Sequence, residues 1–309
     1  MSAGWTLVVY CGLILLASLA GGWLPMLVRL DHRRMQVAIS FVAGVILGIG
    51  LLHLLPHGVY ELAQGRQHAP IDVAVWWLLL GFLLMFFLER FFQFHHHDVP
   101  ADDASPLAPG HAAHAAHGHA GHGHAATGHG EHSHAHGAHT HNFSWAGAAI
   151  GLTLHSTVDG IALAAGVAAD QQNQALTWGA GLGTFLAIVL HKPFDSLTIG
   201  TLMAASDWSP AWRHFVNGLY ALVIPLGVLL FYLGAEHLGS DQHAFLGRAL
   251  GFAAGAFLCI ATSDLLPELQ FHSHDRGKLS LALLAGVGLA LAIVLFEGAN
   301  HRHLHSLTN

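Results

Sequence analysis

Charge is scarce in this sequence. Of its 309 residues only 9% are Asp, Glu, Lys or Arg, against roughly 25% in an ordinary soluble domain. Such a chain cannot clothe a water-facing surface, so a soluble globular protein is excluded. Cysteine is nearly missing too. Cys11 and Cys259 both fall mid-run in apolar stretches, which excludes a zinc-thiolate motif and says nothing of redox compartment. No His-Glu-x-x-His and no nucleophile elbow occurs, the usual marks of a zinc or serine hydrolase. No small-residue cleavage site follows a short apolar core near Met1, so no removable signal peptide is expected. The formal charge of −7 does not choose a partner, because 29 histidines dominate charge near neutrality. No nucleic-acid partner is expected.

What is present is apolar length. With 53% hydrophobic residues and a mean hydropathy of +0.51, the chain reads as an all-α integral membrane protein, since backbone groups in lipid must bond within their own segment. Runs of roughly 20 apolar residues, enough to cross a bilayer, number eight. They lie at about Trp5–Val28, Val37–Val59, Ile71–Phe92, Phe143–Ala168, Trp178–Met203, Phe215–Leu238, Phe245–Leu266 and Leu279–Phe296. The organisation that follows is 1–94 for spans one to three, 95–142 for a long loop, 143–205 for spans four and five, and 206–309 for spans six to eight. An even number of spans puts both termini on one side. With the termini outside, inner loops collect Arg29, Arg33, Arg34, Arg90, Arg213, Arg276 and Lys278, while outer loops hold Arg66, Arg248 and Arg302. The positive-inside rule favours that orientation, in a plasma or inner membrane. The long loop is then cytoplasmic. It carries fifteen histidines among Ala and Gly, as in His132-Ser133-His134-Ala135-His136. Such a composition builds no core and should be disordered. It is either a polar linker or a weak, many-sited metal buffer or sensor.

Two internal repeats are visible. The second span, Phe41-Val42-Ala43-Gly44 through His53-Leu54-Leu55-Pro56-His57, matches the seventh, Phe252-Ala253-Ala254-Gly255 through Asp264-Leu265-Leu266-Pro267-Glu268, at a constant offset of 211. The pairs His53/Asp264 and His57/Glu268 fall in register. The fourth and fifth spans repeat at an offset of 36, Leu154-His155-Ser156-Thr157-Val158-Asp159 against Leu190-His191-Lys192-Pro193-Phe194-Asp195. Neighbouring spans run in opposite directions, so this repeat is inverted, and a 3+2+3 arrangement about an axis in the membrane plane follows. Secondary transporters with that design hold substrate near the midplane at the repeat interface.

The chemistry sits in the second repeat. His155 and Asp159, and again His191 and Asp195, are four residues apart, hence on one helix face. Ionisable groups inside a span are costly and mark function. Brought together, two imidazoles and two carboxylates make an N₂O₂ set that suits tetrahedral Zn²⁺ and accepts Fe²⁺, Mn²⁺ or Cd²⁺. Two carboxylates also balance a dication where the dielectric is low. Pro193 withdraws the amide that would bond the Val189 carbonyl, and Gly160 allows a neighbouring helix close. Lys192 either tethers a carboxylate or supplies the charge of a second cation.

These residues resemble the ZIP family of divalent metal transporters. The likeness covers the whole chain: eight spans, both ends outside, a His-rich loop between spans three and four, and His-x-x-x-acid pairs in spans four and five. It implies Zn²⁺ uptake toward the cytoplasm by alternating access, with no cofactor beyond the transported ion. It implies a homodimer in which spans one, four, five and six move against two, three, seven and eight. Departures matter as well. Lys192 stands where many members have a second acid, and Ile224 precedes Pro225 where they have Glu, so both changes argue for one ion rather than two. Ser156 fills the family's Asn position as a weak ligand at most. Ser263-Asp264 replaces a His-Glu pair, which leaves Asp264 as a pathway group, with His53, His57 and Glu268 as further pathway or vestibule candidates. Two other functions compete. A cation-diffusion-facilitator-type metal exporter has six spans and a folded domain after the last, whereas only a dozen or so residues follow Phe296 here. A membrane-embedded zinc hydrolase needs an open metal position with a poised water.

Overall fold

A computed structural model of the chain describes residues 3–27, 32–92, 144–172, 179–237, 241–265 and 276–307. Among them every regular element is helical. Helix α1 is Ala3–Leu27. Helix α2, His32–Ile49, passes through a π-turn at Gly50–Leu54 into α3, Leu55–Gln64. Then come α4, Pro70–Phe92, α5, Ser144–Gln172, α6, Leu182–Ala205, α7, Pro210–Ala221, and α8, Val223–His237. Helix α9, Gln242–Cys259, runs into a second π-turn, Ile260–Leu265, and α10 is Arg276–Leu307. Residues 1–94 and 143–309 form one compact unit. The His-rich loop and Glu268 lie outside the described residues, as does the side chain of Asp264.

Seven stretches among the described residues are long and apolar enough to cross a membrane. They match every expected span but the fifth. That one is the 24-residue helix α6, also long enough to cross, but His191-Lys192-Pro193-Phe194-Asp195 in its middle lowers its apolarity. The sixth span is divided into α7 and α8 at Leu222. Pro225 accounts for where the division falls: it cannot donate to the Ala221 carbonyl four residues back, which weakens the helix at that turn. Helix α6 absorbs Pro193 without interruption. The last helix extends past Phe296, beyond the apolar run that defines the eighth span.

Burial separates inner from outer spans. In the fourth and seventh, 72% of the apolar window is buried, against 17% in the third. The core is built from Ile46, Ile49 and Leu54 of the second span, Leu163 and Val167 of the fourth, Ile188 of α6, and Leu250 and Phe257 of α9. Outward-facing side chains such as Trp76, Leu80, Leu83 and Phe87 of α4 have no solvent but lipid to suit them.

The heaviest packing joins α2 with α10, α4 with α9, α1 with α6, and α5 with α8. Small residues let the backbones touch, as in other membrane helix pairs. A Cβ on Gly44 would strike the Leu283 carbonyl and one on Gly286 the Phe41 carbonyl; a Cβ on Gly255 would strike the Leu78 carbonyl and one on Gly81 the Phe252 carbonyl. The second pair of contacts is the first shifted along the chain, since Phe41 and Gly44 stand 211 residues before Phe252 and Gly255, and Leu78 and Gly81 stand 205 before Leu283 and Gly286. The π-turns correspond too, ending on Leu54 and Leu265. Likewise Gly21 abuts the Pro193 carbonyl and Gly227 the Thr157 carbonyl, with Thr157 and Pro193 related by the offset of 36. The α2–α10 contact makes a direct prediction. Gly286→Ala should cost about 1–3 kcal/mol through overpacking against backbone. Gly288→Ala, two residues on with nothing near its Cβ position, should be neutral or stabilising by up to about 1 kcal/mol, the helix propensity difference. Unfolding midpoints of the two variants in detergent check the contrast; equal shifts would refute it.

Candidate metal site

Helices α5 and α6 meet where the repeat predicts. Each is regular through its His-x-x-x-Asp stretch, so histidine and aspartate project one turn apart on the same face. The facing sides bring all four together. His155 Nε2 lies 3.4 Å from Asp159 Oδ2 and 3.9 Å from Asp195 Oδ2. His191 Nε2 lies 3.3 Å from Asp159 Oδ2 and 3.9 Å from Asp195 Oδ2. The two Nε2 atoms are 3.5 Å apart. One donor atom from each residue lies within 4.8 Å of the other three. A tetrahedral ion with bonds of ~2.0–2.1 Å holds its ligand atoms about 3.3–3.4 Å apart, so the set is close to coordination spacing before any ion is considered.

The surroundings orient these ligands. His191 Nδ1 is 2.8 Å from the Ala187 carbonyl. Donation of the Nδ1 proton there leaves the Nε2 lone pair directed into the site, the usual way a second-shell acceptor fixes a metal-binding tautomer. Neither His155 Nδ1 nor Asp159 Oδ1 has a hydrogen-bond partner among the described residues, and a buried carboxylate oxygen in that state suits a cation ligand better than a packing role. His155, Asp159 and His191 are buried; Asp195, at 13% side-chain exposure, is the most open of the four.

Lys192 is fully buried, and its ammonium has three donors to place. They go to Ser156 Oγ, to the Tyr220 hydroxyl at 2.8 Å and to Asp195 Oδ2 at 3.3 Å. Asp159 Oδ2 is 3.8 Å away. Tyr220 donates in turn to Asp195 Oδ2 at 3.0 Å. Ser156 has the Leu152 carbonyl and the Tyr220 hydroxyl at 2.7 Å, and stands outside the four-ligand set. Ser156 and Lys192 occupy matching places in the 36-residue repeat. Ile224, where an acid would serve a second ion, is buried and apolar, and its carbonyl packs on Gly160.

The remaining candidates fall elsewhere. His53 and His57 are not brought to this set; they stack edge to face, ring centroids 4.4 Å apart, beside Asp170. Asp264 belongs to the second π-turn, and its neighbour Ser263 donates to Glu89 of α4, which Cys259 Sγ also approaches at 3.7 Å. Sequence reasoning missed Tyr220 and Asp170. A tyrosine inside an apolar run, whose hydroxyl must find a partner when buried, was the available sign of the first. An acid near the end of a span already carrying a His–Asp pair was the sign of the second.

Comparison with known proteins bears on what this arrangement is for. Residues 6–294 match the family model described as the ZIP Zinc transporter. The chain is 27% identical to zinc transporter ZIP9 of Xenopus tropicalis, over 94% of this chain and 97% of that protein. It is 26% identical to zinc transporter ZIP9-B of Xenopus laevis with the same coverage, and 25% identical to zinc transporter ZIP1 of Danio rerio over 91% of this chain and 94% of the relative.

The Lys192 network can be probed without touching the four ligands. Tyr220→Phe keeps the ring and removes the hydroxyl that links Lys192 to Asp195, leaving one ammonium donor buried without its acceptor. The metal-free variant should lose about 1–3 kcal/mol of stability, read as a lower unfolding midpoint in detergent. An unchanged midpoint would mean that the hydroxyl contributes nothing there.

Proposed function

The chain belongs to the ZIP zinc transporter family, and from that premise we propose that it carries Zn²⁺ across the membrane toward the cytoplasm by alternating access around one ion bound to His155, Asp159, His191 and Asp195. Fe²⁺, Mn²⁺ and Cd²⁺ are compatible with the same ligands. Membership makes the protein a membrane transporter and not an enzyme, which removes the hydrolase alternative. The observation that carries the site is the convergence of four ligand atoms, two nitrogens and two oxygens, at 3.3–3.9 Å across two buried helices.

One ion rather than two is the better reading because Lys192 already occupies the neighbouring cation position. Its three donors are committed to Ser156, Tyr220 and Asp195, and Ile224 supplies no ligand opposite. The inverted 3+2+3 organisation is supported by matched glycine–carbonyl contacts and matched π-turns. Under it, the heaviest packing falls within two groups, spans one, four, five and six, and spans two, three, seven and eight, as relative motion of the two groups requires. With termini outside and the His-rich loop cytoplasmic, α6 runs inward and Asp195 lies one turn to the inner side of His191. The more open side of the site therefore faces the cytoplasm, where a histidine-dense loop would meet the released ion. The homodimer rests on the resemblance alone.

Radiometal uptake into vesicles tests the assignment. His191→Ala should abolish saturable Zn²⁺ uptake while the protein still inserts and folds; wild-type uptake in that variant would sink the site. Lys192→Ala should alter the competition order of Zn²⁺, Cd²⁺ and Fe²⁺ and the number of ions bound. If both stay as in the wild type, the lysine is not a substitute for a second cation.

A further inference from the structure

A second group of ligands lies away from the four just described. His53 falls inside the π-turn of the second span, and His57 follows one turn later in α3. Asp170 comes from the far end of α5. His53 Nδ1 or Nε2, a His57 nitrogen and an Asp170 oxygen can all be chosen within 4.8 Å of one another. His57 Nδ1 and Asp170 Oδ1 are 3.7 Å apart, longer than a good hydrogen bond and in the range found among the four central ligands. Asp170 Oδ2 accepts the Gly181 N–H at 2.6 Å, which fixes the carboxylate and turns Oδ1 toward the imidazoles. Gly181 sits at φ 72°, the left-handed turn that returns the chain into α6. Gly183, at the start of that helix, packs against the Ile49 side chain, 2.9 Å from its Cβ position, with His53 Cδ2 and Nε2 at 3.5 and 3.6 Å, so the bare glycine lets the start of α6 lie close to the His53 ring. Asp170 is eleven residues beyond Asp159, about 16 Å along the helix at 1.5 Å per residue.

We propose that His53, His57 and Asp170 form a second divalent-metal site, taking Zn²⁺ through two imidazoles and one carboxylate with the open coordination position left to water. Two imidazoles select a borderline ion such as Zn²⁺ over Mg²⁺ or Ca²⁺, and three protein ligands with a water complete zinc's usual four-coordination. Exposure grades across the site: the His57 side chain is 28% exposed, while His53 and Asp170 are buried. An ion can thus approach from solvent at His57 and shed water as it meets the others. A second feature follows from where the ligands sit. Two come from the second span and one from the fourth, so a bound ion clasps one helix group to the other and stabilises the arrangement in which all three meet. The role on the transport path, as the station that loads the central site from outside, rests on the proposed function; metal binding by these three residues does not.

The test is equilibrium Zn²⁺ binding to the purified full chain, counted as ions per chain in variants that all carry the same histidine-rich loop, so that its contribution cancels in the differences. His57→Ala alters a partly exposed side chain and should leave the fold intact; His53→Gln keeps size and hydrogen-bonding capacity. Each should bind one ion fewer than wild type, His191→Ala should lose one as well, and His57→Ala/His191→Ala should lose two. Initial-rate uptake should then show KM raised at least about tenfold in His57→Ala with kcat little changed, the pattern of lost capture rather than lost translocation. A wild-type count in both His57→Ala and His53→Gln overturns the proposal. A wild-type count in His191→Ala instead overturns the central site and leaves this one standing. Asp170 is left unaltered because its Gly181 hydrogen bond makes it structural as well.

Discussion

Charge inside the low-dielectric interior is the constraint on which the rest depends. An ammonium buried among membrane-spanning helices costs several kcal/mol unless its surroundings answer it. Lys192 is answered in full: each donor has an acceptor, and two carboxylates lie within 4 Å. Those acceptors come from three helices, α5, α6 and α7, so the polar cluster also fixes how these helices sit. A displacement of one would strand a charge. The apolar core does not carry this specificity, because lipid chains are as apolar as leucine and helix association in a membrane draws on contact and hydrogen bonding instead. Glycine–carbonyl contacts supply the first, as between Gly160 and the Ile224 carbonyl and between Gly227 and the Thr157 carbonyl, and the Lys192 network the second.

Much of this could be read from the residues. A histidine and an aspartate four apart, twice over, in runs otherwise empty of charge, can be interpreted through helix geometry alone. The offset of 211 was legible because Leu-Leu-Pro and glycines recur in register, and those glycines are at the helix contacts. Ser156 and Lys192, unlike in chemistry, hold equivalent positions and bond to each other across the repeat.

What could not be read required knowing which faces meet across long separations. Tyr220 lies 28 residues from Lys192 in a different helix, and no periodicity announces that its hydroxyl points at a lysine. Asp170 looks like the polar end of a span until the turn at Gly181 folds back on it. The π-turns were hidden because a single wide turn changes no composition, although it sets the face on which His53 sits. Pro225 was visible, but its consequence, a break at Leu222 just after Tyr220, depends on the packing of α7 against α1 and α6. The fifth span shows the converse. Its low apolarity argues against a span by composition alone, and the residues responsible include the two that α6 contributes to the four-ligand cluster.

If one ion is carried at the proposed four-ligand site, Lys192 also bears on turnover. With neutral imidazoles, Asp159 and Asp195 alone would make an empty site of charge −2 and a filled one of charge 0. Adding the ammonium makes these −1 and +1. The cost of burying charge rises faster than linearly with its magnitude, so an empty site of −2 is the worst state in either scheme. The lysine removes that state while leaving the filled site a unit positive. A carrier must cross in both conditions, and the condition hardest to bury limits the cycle. A nearby ammonium also opposes the ion: unit charges ~4 Å apart interact by about 4 kcal/mol at an effective dielectric of about 20, and each ~1.4 kcal/mol is tenfold in affinity. Four good ligands in a dry site would otherwise hold Zn²⁺ too long for transport. At that proposed site the repulsion would fall on the filled state alone and so would hasten release, while the same charge paired with Asp195 would keep the emptied site assembled for the next ion.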